Sequence, residues 1–313
     1  MLRALIPSRW RPHLREALEL VLLPGLAAVL PWGWCFRVFR RLSARCQWLY
    51  REPCERALHE AQARGWVTPE QAPRWLAQRR LVTLIDHADL YLAATRSNRW
   101  MQRHLQVQGQ WPAVGQAGIL ATFHWGAGMW GLRHAQQAGL TPHALVAPLN
   151  GAHFAGHPVL HRYIQARTAH VAKALGCPTL DVSSSLRPAL RALRNREQVL
   201  AAIDVPSDQV AASVPVQIVG MAAQVPKALL RLAVEQKVPV TVYLTGINMD
   251  TGQRTLRIVP LPVLEDLDAL VEAVFIHLTE ALHQDSVAWH FWSEAPRFFA
   301  QQPPAVVVPS RAK

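Results

Sequence analysis

Residues 117–123 read AGILATF, and the fold of this chain turns on that stretch. A short, unbroken apolar run without polar alternation is the pattern of a strand buried on both faces, as in a parallel sheet. It runs into a glycine-rich turn, His124-Trp125-Gly126-Ala127-Gly128, and then into a helix expected to last to about Gln137. The same alternation continues downstream. Residues 144–149 (ALVAPL) predict a strand and 157–175 a long helix, and Ser183–Ser185 can cap a helix over 186–195. Residues 198–204 (QVLAAID) predict a second buried strand with an acid at its end. Then come a strand over 214–219, a helix over 226–236, strands over 238–244 and near 255–259, and an amphipathic helix over 266–283. Strands alternating with helices of this length imply an α/β fold with a mostly parallel central sheet flanked by helices. Sites in such sheets form beyond the carboxyl ends of strands, an address that His124 and Asp204 share.

Upstream, residues 52–105 read as helical, with amphipathic runs at 55–63 and 74–94, the second preceded by Thr68-Pro69-Glu70. Residues 20–36 (LVLLPGLAAVLPWGWCF) carry no charge. Arg3, Arg9, Arg11 and Arg15 precede them, and Arg37, Arg40, Arg41 and Arg45 follow. A spanning helix needs about 20 apolar residues; this run is shorter and holds Pro24 and Pro31. It suits a segment lying in a membrane interface, with Trp32 and Trp34 at headgroup depth and arginines on anionic phosphates. A buried helix of the domain is the other reading. The expected organisation is an interfacial helical segment over 1–50, one α/β domain over 51–300 and a proline-rich tail over 301–313.

The formal charge of +12 comes mostly from arginine and calls for an anionic partner, whether nucleic acid, anionic lipid or an acidic carrier. No recognition helix, zinc finger or basic run interleaved with stacking aromatics is present, so nucleic acid is not the expected partner. Cys35, Cys46, Cys54 and Cys177 have neither metal-ligand spacing nor the look of a disulfide framework. His153, His157 and His161 recur every four residues, but Pro158 disturbs that helix and no acid completes a ligand set. Asp204 with Asp208 reads as a strand-end turn rather than a metal site unless both reach His124. No metal or cofactor is expected. There is no G-x-S-x-G elbow, Walker sequence or dinucleotide fingerprint to support a hydrolase, NTPase or dehydrogenase.

His124, at a strand end before two glycines and a helix, has room for a substrate at its ring. A neutral imidazole there can take a proton from an attacking hydroxyl, and backbone N–H groups of the turn can receive developing negative charge. A histidine satisfied by a backbone carbonyl is the plain alternative. Trp125 and Trp130 flank the turn and can line an acyl channel or pack in the core.

Residues 119–130 (ILATFHWGAGMW) resemble the first motif of the lysophospholipid acyltransferase superfamily, and more narrowly the branch of late acyltransferases of lipid A synthesis. Further similarities follow in order. Arg167 stands like the family's arginine after the second strand, and Asp204 resembles the acid of a later motif. Residues 214–227 (VPVQIVGMAAQVPK) resemble a strand that ends in Gly220 and leads to a proline-started helix. Residues 289–299 resemble the aromatic finish of the branch, and the similarity runs over about residues 18–300. The resemblance implies transfer of a fatty acyl group from acyl carrier protein or acyl-coenzyme A to a hydroxyl or amine of a lipid or glycolipid, without a metal. It places the protein at the cytoplasmic face of the bacterial inner membrane. His124 and Asp204 would be catalytic, and Arg167, Gly126, Trp125 and Gly220 would bind substrate.

One position departs from the pattern. The family's acid, five residues after the histidine, is Met129 here, and a thioether cannot orient an imidazole as a carboxylate does. Asp204 or another acid supplies the partner, a backbone carbonyl does so with slower chemistry, or the protein is a silent member that only binds carrier or lipid.

Overall fold

The computed structural model describes residues 10–146, 154–181 and 185–299. The chain opens with helices α1 (Arg11–Glu16), a π-helical turn (Ala17–Leu22), α2 (Leu23–Val29), α3 (Trp32–Arg45), α4 (Arg51–Ala63), α5 (Ala72–Thr95) and α6 (Asn98–His104). It continues through β1 (Leu105–Gln108), β2 (Gly118–Thr122), α7 (Met129–Gln137), β3 (Pro142–Val146), α8 (Pro158–Leu175), β4 (Leu180–Asp181), α9 (Arg187–Arg194) and β5 (Gln198–Ala202). The remainder is β6 (Ser213–Ile218), β7 (Met221–Pro226), α10 (Ala228–Gln236), β8 (Val240–Ile247), β9 (Arg254–Pro260), α11 (Leu267–Gln284) and, after short 3-10 turns, α12 (Ala295–Phe298).

Seven strands form one mixed sheet in the order β1-β9-β8-β2-β5-β3-β4. The five from β8 to β4 are mutually parallel, whereas β9 is antiparallel to β8 and β1 runs with β9. The fold is therefore α/β with a mostly parallel sheet, as the alternation of elements implied. The 117–123 and 198–204 runs become the adjacent central strands β2 and β5, with Ile119 opposite Val199. Their side chains alternate between two cores. Ile119, Ala121, Val199 and Ala201 join one with α9, α10 and α11. Leu120 and Leu200 join the other with α3, the middle of α5 and α7.

Two expectations need correction. Residues 52–105 do not stay helical to their end, since Leu105 already begins the edge strand β1. The 214–219 strand is not part of the main sheet, and the proline-started helix after Gly220 does not exist as such. Instead β6 and β7 form a two-stranded antiparallel hairpin, Pro226 ends β7, and α10 begins at Ala228. Val219 (φ +50°) and Gly220 (φ +76°) close its two-residue turn, where both central positions need positive φ.

The charge-free N-terminal run is broken by its prolines. Pro24 has no N–H to give the Leu20 carbonyl, and the Tyr91 hydroxyl of α5 takes that acceptor instead at 2.7 Å. At Leu30 and Pro31 the backbone turns extended, separating α2 from α3, and one Arg96 nitrogen donates to the Ala27 and Leu30 carbonyls, 2.9 Å each. Trp32 is not at the surface: it is buried with Phe36 and Phe39, its indole N–H donating to the Gly252 carbonyl at 2.9 Å. Ala27, Trp32, Cys35, Phe36, Phe39, Leu49 and Tyr50 share a core with Leu120, Leu200 and Tyr243 of the sheet. Among the described residues no helix is long and apolar enough to cross a membrane.

Candidate active site

The parallel pairing of β2 with β5 sets the ends of both strands side by side, and just beyond them sit His124 and Asp204. The His124 backbone N–H donates to both Asp204 carboxylate oxygens at 2.9 Å, and the ring Nδ1 lies 2.8 Å from Oδ1. A carboxylate accepts only, so in the neutral ring Nδ1 carries the proton and Nε2 keeps its lone pair. Asp204 is buried, and the Trp289 indole N–H donates to its Oδ2 at 2.9 Å. The His124 side chain, 37% exposed, is reachable from outside. Burial pulls its imidazole down, but the Asp204 charge and hydrogen bond outweigh burial, and the net direction is up from the ordinary histidine value.

A segment from the far end of the chain completes the setting. The Phe291 ring stacks on the His124 ring with centroids 4.0 Å apart and planes at 22°. The His290 N–H donates to the His124 carbonyl at 2.8 Å, and His290 Nε2 donates to the Gly126 carbonyl at 2.7 Å. Burial, helped by Arg79, pushes His290 down to about 4, so this ring stays neutral. Buried Arg79 of α5 holds the segment by donating to the carbonyls of Val287 and Trp289 at 2.8 and 2.9 Å. Trp289, His290, Phe291 and Arg79 were assigned no site role from sequence. The cluster Trp289-His290-Phe291-Trp292 was the only visible signal, and nothing in its spacing ties it to residue 124.

The other expected site residues behave differently. Gly126 (φ +57°) is required by the turn, because a Cβ there would lie 2.1 Å from the Thr245 carbonyl oxygen. Its N–H is committed to the Ala288 carbonyl at 2.9 Å, so Gly126 shapes the turn and is not a free donor for an oxyanion. Trp125 is buried in the core on the α11 side and walls a recess of about 340 Å³ with Leu244, Arg257, Gln284 and Asp285. Arg167 is no free clamp either. It pairs with Asp86 of α5 at 2.7 Å and donates to the Tyr163 hydroxyl at 3.2 Å, yet the pair lies near enough for both charges to bear on His124. Gly220 belongs to the hairpin turn, whose Val219 N–H donates to Thr279 of α11 at 3.2 Å, and it does not join this cluster.

Met129 opens α7 buried among apolar neighbours, and the His124 imidazole is held by Asp204 instead. Trp130 is also buried, beside Trp100 and the Arg254 guanidinium, rather than lining a channel. Asp208 is taken by Arg297 at 2.8 Å. His157 pairs with Glu16 and His161 stacks on Phe154 at 5.1 Å, while His153 lies outside the described residues. Cys35 and Cys54 are buried, and burial raises the Cys35 thiol to about 12 despite Arg254 and Arg96 nearby. No protein-family model matches this chain, and no curated protein matches it.

Proposed function

We propose that this protein is an acyltransferase that moves a fatty acyl group from a thioester to a hydroxyl or amine. The observation that carries the reading is the His124–Asp204 pair, with Nδ1 protonated against a buried carboxylate and Nε2 left basic in a partly open position. In the reaction the acceptor O–H or N–H gives its proton to Nε2 as its heteroatom adds to the thioester carbonyl. The tetrahedral intermediate then expels the thiolate, which takes the proton back from the imidazolium. Asp204 stabilises that cation, as the aspartate of a Ser-His-Asp triad does.

The acceptor is a lipid or glycolipid, and the protein works at a membrane surface, for a bacterium the cytoplasmic face of the inner membrane. Support for this lies in the N-terminal helices. Trp10, Leu14, Val21, Leu22, Val29, Trp34 and Trp48 are large apolar side chains left exposed there, and the Arg37 guanidinium stacks over Trp34 at 4.5 Å. Such a mixture of apolar and cationic groups suits an interface rather than a span. Acyl carrier protein or acyl-coenzyme A is the donor, and neither a metal nor a cofactor enters the scheme.

The test is thioester consumption by purified protein with each donor, a membrane lipid extract as acceptor, and His124→Ala beside wild type. Donor loss with a new acylated lipid, absent in the variant, is expected. Folded protein that binds carrier or lipid but turns over neither donor would replace the proposal with a silent binding module.

A further inference from the structure

Asp204 holds the His124 ring at its edge, and Phe291 lies against its face, with centroids 4.0 Å apart and planes at 22°. The backbone around Phe291 is fixed on both sides. Upstream, residues 288–290 run antiparallel to residues 124–126, with Trp289 bridged to Trp125. The Gly126 N–H donates to the Ala288 carbonyl at 2.9 Å, and the His290 N–H donates to the His124 carbonyl at 2.8 Å. Arg79 clamps this stretch by donating to the Val287, Trp289 and His290 carbonyls at 2.8, 2.9 and 3.2 Å. At Phe291 the backbone departs from helical angles (φ −98°, ψ 19°) inside the short turn His290–Glu294. Downstream, the Phe298 ring of α12 backs the Phe291 ring, with centroids 5.9 Å apart. A half-buried phenyl braced in this way cannot leave the imidazole without undoing the whole segment.

Such a stack treats the two protonation states of His124 differently. The face of an aromatic ring is negative, so a cation within about 6 Å of its centroid is attracted, and an uncharged partner gains far less. The charges that bear on His124 are Asp204 beyond β5, Asp86 on α5 and Arg167 on α8. His290, on the same segment as Phe291, is held neutral, and its Nε2 is spent on the Gly126 carbonyl. Phe291 therefore contributes a preference for the imidazolium without adding a formal charge. It also closes one face of the ring, so a substrate must reach Nε2 along the edge or the other face.

We infer that Phe291 is a positioning residue for His124: its phenyl face pins the imidazole with Nε2 free and stabilises the imidazolium formed when the acceptor gives up its proton. The inference rests on the acyl-transfer reading for the step in which that cation forms. Phe291 makes and breaks no bond there, since the proton passes from the acceptor O–H or N–H to Nε2 and then to the departing thiolate.

The experiment uses full-length protein carrying Phe291→Leu, which keeps apolar bulk without a π face, and Phe291→Tyr, which keeps the face. Circular dichroism establishes folding. The His124 ring is titrated by NMR in histidine-labelled protein, its signal identified by its absence in His124→Ala. Turnover is followed with an acyl-thioester donor and a membrane lipid extract. In Phe291→Leu the His124 pKa is expected to fall by about half a unit, and in Phe291→Tyr to stay at the wild-type value. On the plateau above that pKa, kcat should drop about two- to fivefold in the leucine variant with KM unchanged, and recover in the tyrosine variant. A leucine variant whose His124 titrates as in wild type, or a tyrosine variant that behaves like the leucine one, overturns the inference. Should the leucine variant not fold, Phe291→Trp replaces it. Its stronger π face should raise the His124 pKa, and a value at or below wild type overturns the inference. A lowered pKa in Phe291→Leu while wild type turns over no donor keeps the hold of Phe291 on His124 and removes the acyl-transfer reading.

Discussion

His124 is constrained at its backbone N–H, its carbonyl, its Nδ1 and its ring face, and Asp204 supplies two of those four contacts. Asp204→Asn keeps the shape but no longer imposes the Nδ1–H tautomer or stabilises the imidazolium. Turnover is expected to fall by about 10³–10⁴-fold, the scale of the same change in a serine-protease triad. The pH profile checks the cause separately. A general base must be neutral, so kcat/KM rises as pH climbs through the His124 pKa, which in the wild type lies above the ordinary 6.5. In Asp204→Asn the only charge that opposes burial is Asp86, itself countered by Arg167, and the limb should move to lower pH. A limb that stays in place would mean that Asp204 does not set the basicity of His124. Both residues could be read from the sequence as strand-end groups. That they meet depends on β2 and β5 being neighbours, a pairing between residues roughly 80 positions apart that no local pattern encodes.

At the scale of elements, the N-terminal helices show how a local rule is rescued by a distant side chain. Pro24 would leave the Leu20 carbonyl without a donor inside a half-buried helix, and Tyr91 of α5 provides one. Tyr91→Phe removes only the hydroxyl, and an unsatisfied buried acceptor costs about 1–3 kcal/mol. Urea unfolding should therefore show a lower midpoint with an unchanged slope, and a midpoint equal to wild type would mean that solvent satisfies the carbonyl. The prolines and the charge-free run could be read directly from the sequence. The burial of Trp32 and the exposure of Trp34 could not, because both fit the same apolar stretch and only packing against Gly252 and Phe39 separates them. The β6–β7 hairpin was missed for a related reason. Its Val219-Gly220 turn lacks the usual Asn-Gly signal, and Pro226 looked like a helix start.

Over the whole molecule, α5, α8 and the C-terminal segment enclose a group of ionisable side chains behind His124. Burial, aided by the Arg167 charge, pushes His87 down to about 3 although Asp86 opposes it, and burial with Arg79 pushes His290 down to about 4. Both folded pKa values lie below the unfolded 6.5, so the unfolded chain binds these protons more readily. Their contribution to stability is complete above pH 6.5 and is lost as pH falls through about 4 for His290 and about 3 for His87, on the order of 3 and 5 kcal/mol respectively. His124 has the opposite sign. Its raised pKa adds stability below 6.5 that disappears as pH rises through the folded value. Urea midpoints measured from pH 7 to pH 4 should fall towards acid, and less steeply in His87→Gln/His290→Gln. A pH-independent midpoint would show that these histidines are not held neutral by the fold.

By itself the sequence determined the α/β class, the two buried central strands and the addresses of His124 and Asp204. Continuous apolar runs and a glycine-rich turn are local properties, and local sterics and hydrophobic burial suffice to interpret them. The tertiary structure alone decided that Asp204 holds the His124 ring and that Arg167 spends its charge on Asp86. It alone brought Trp289, His290 and Phe291 from the last tenth of the chain onto His124 and Asp204. The physical reason is that a hydrogen bond or ion pair depends on distance through space. Where the sheet order and the core packing bring remote segments within 3 Å, the chain's own spacing carries no record of it.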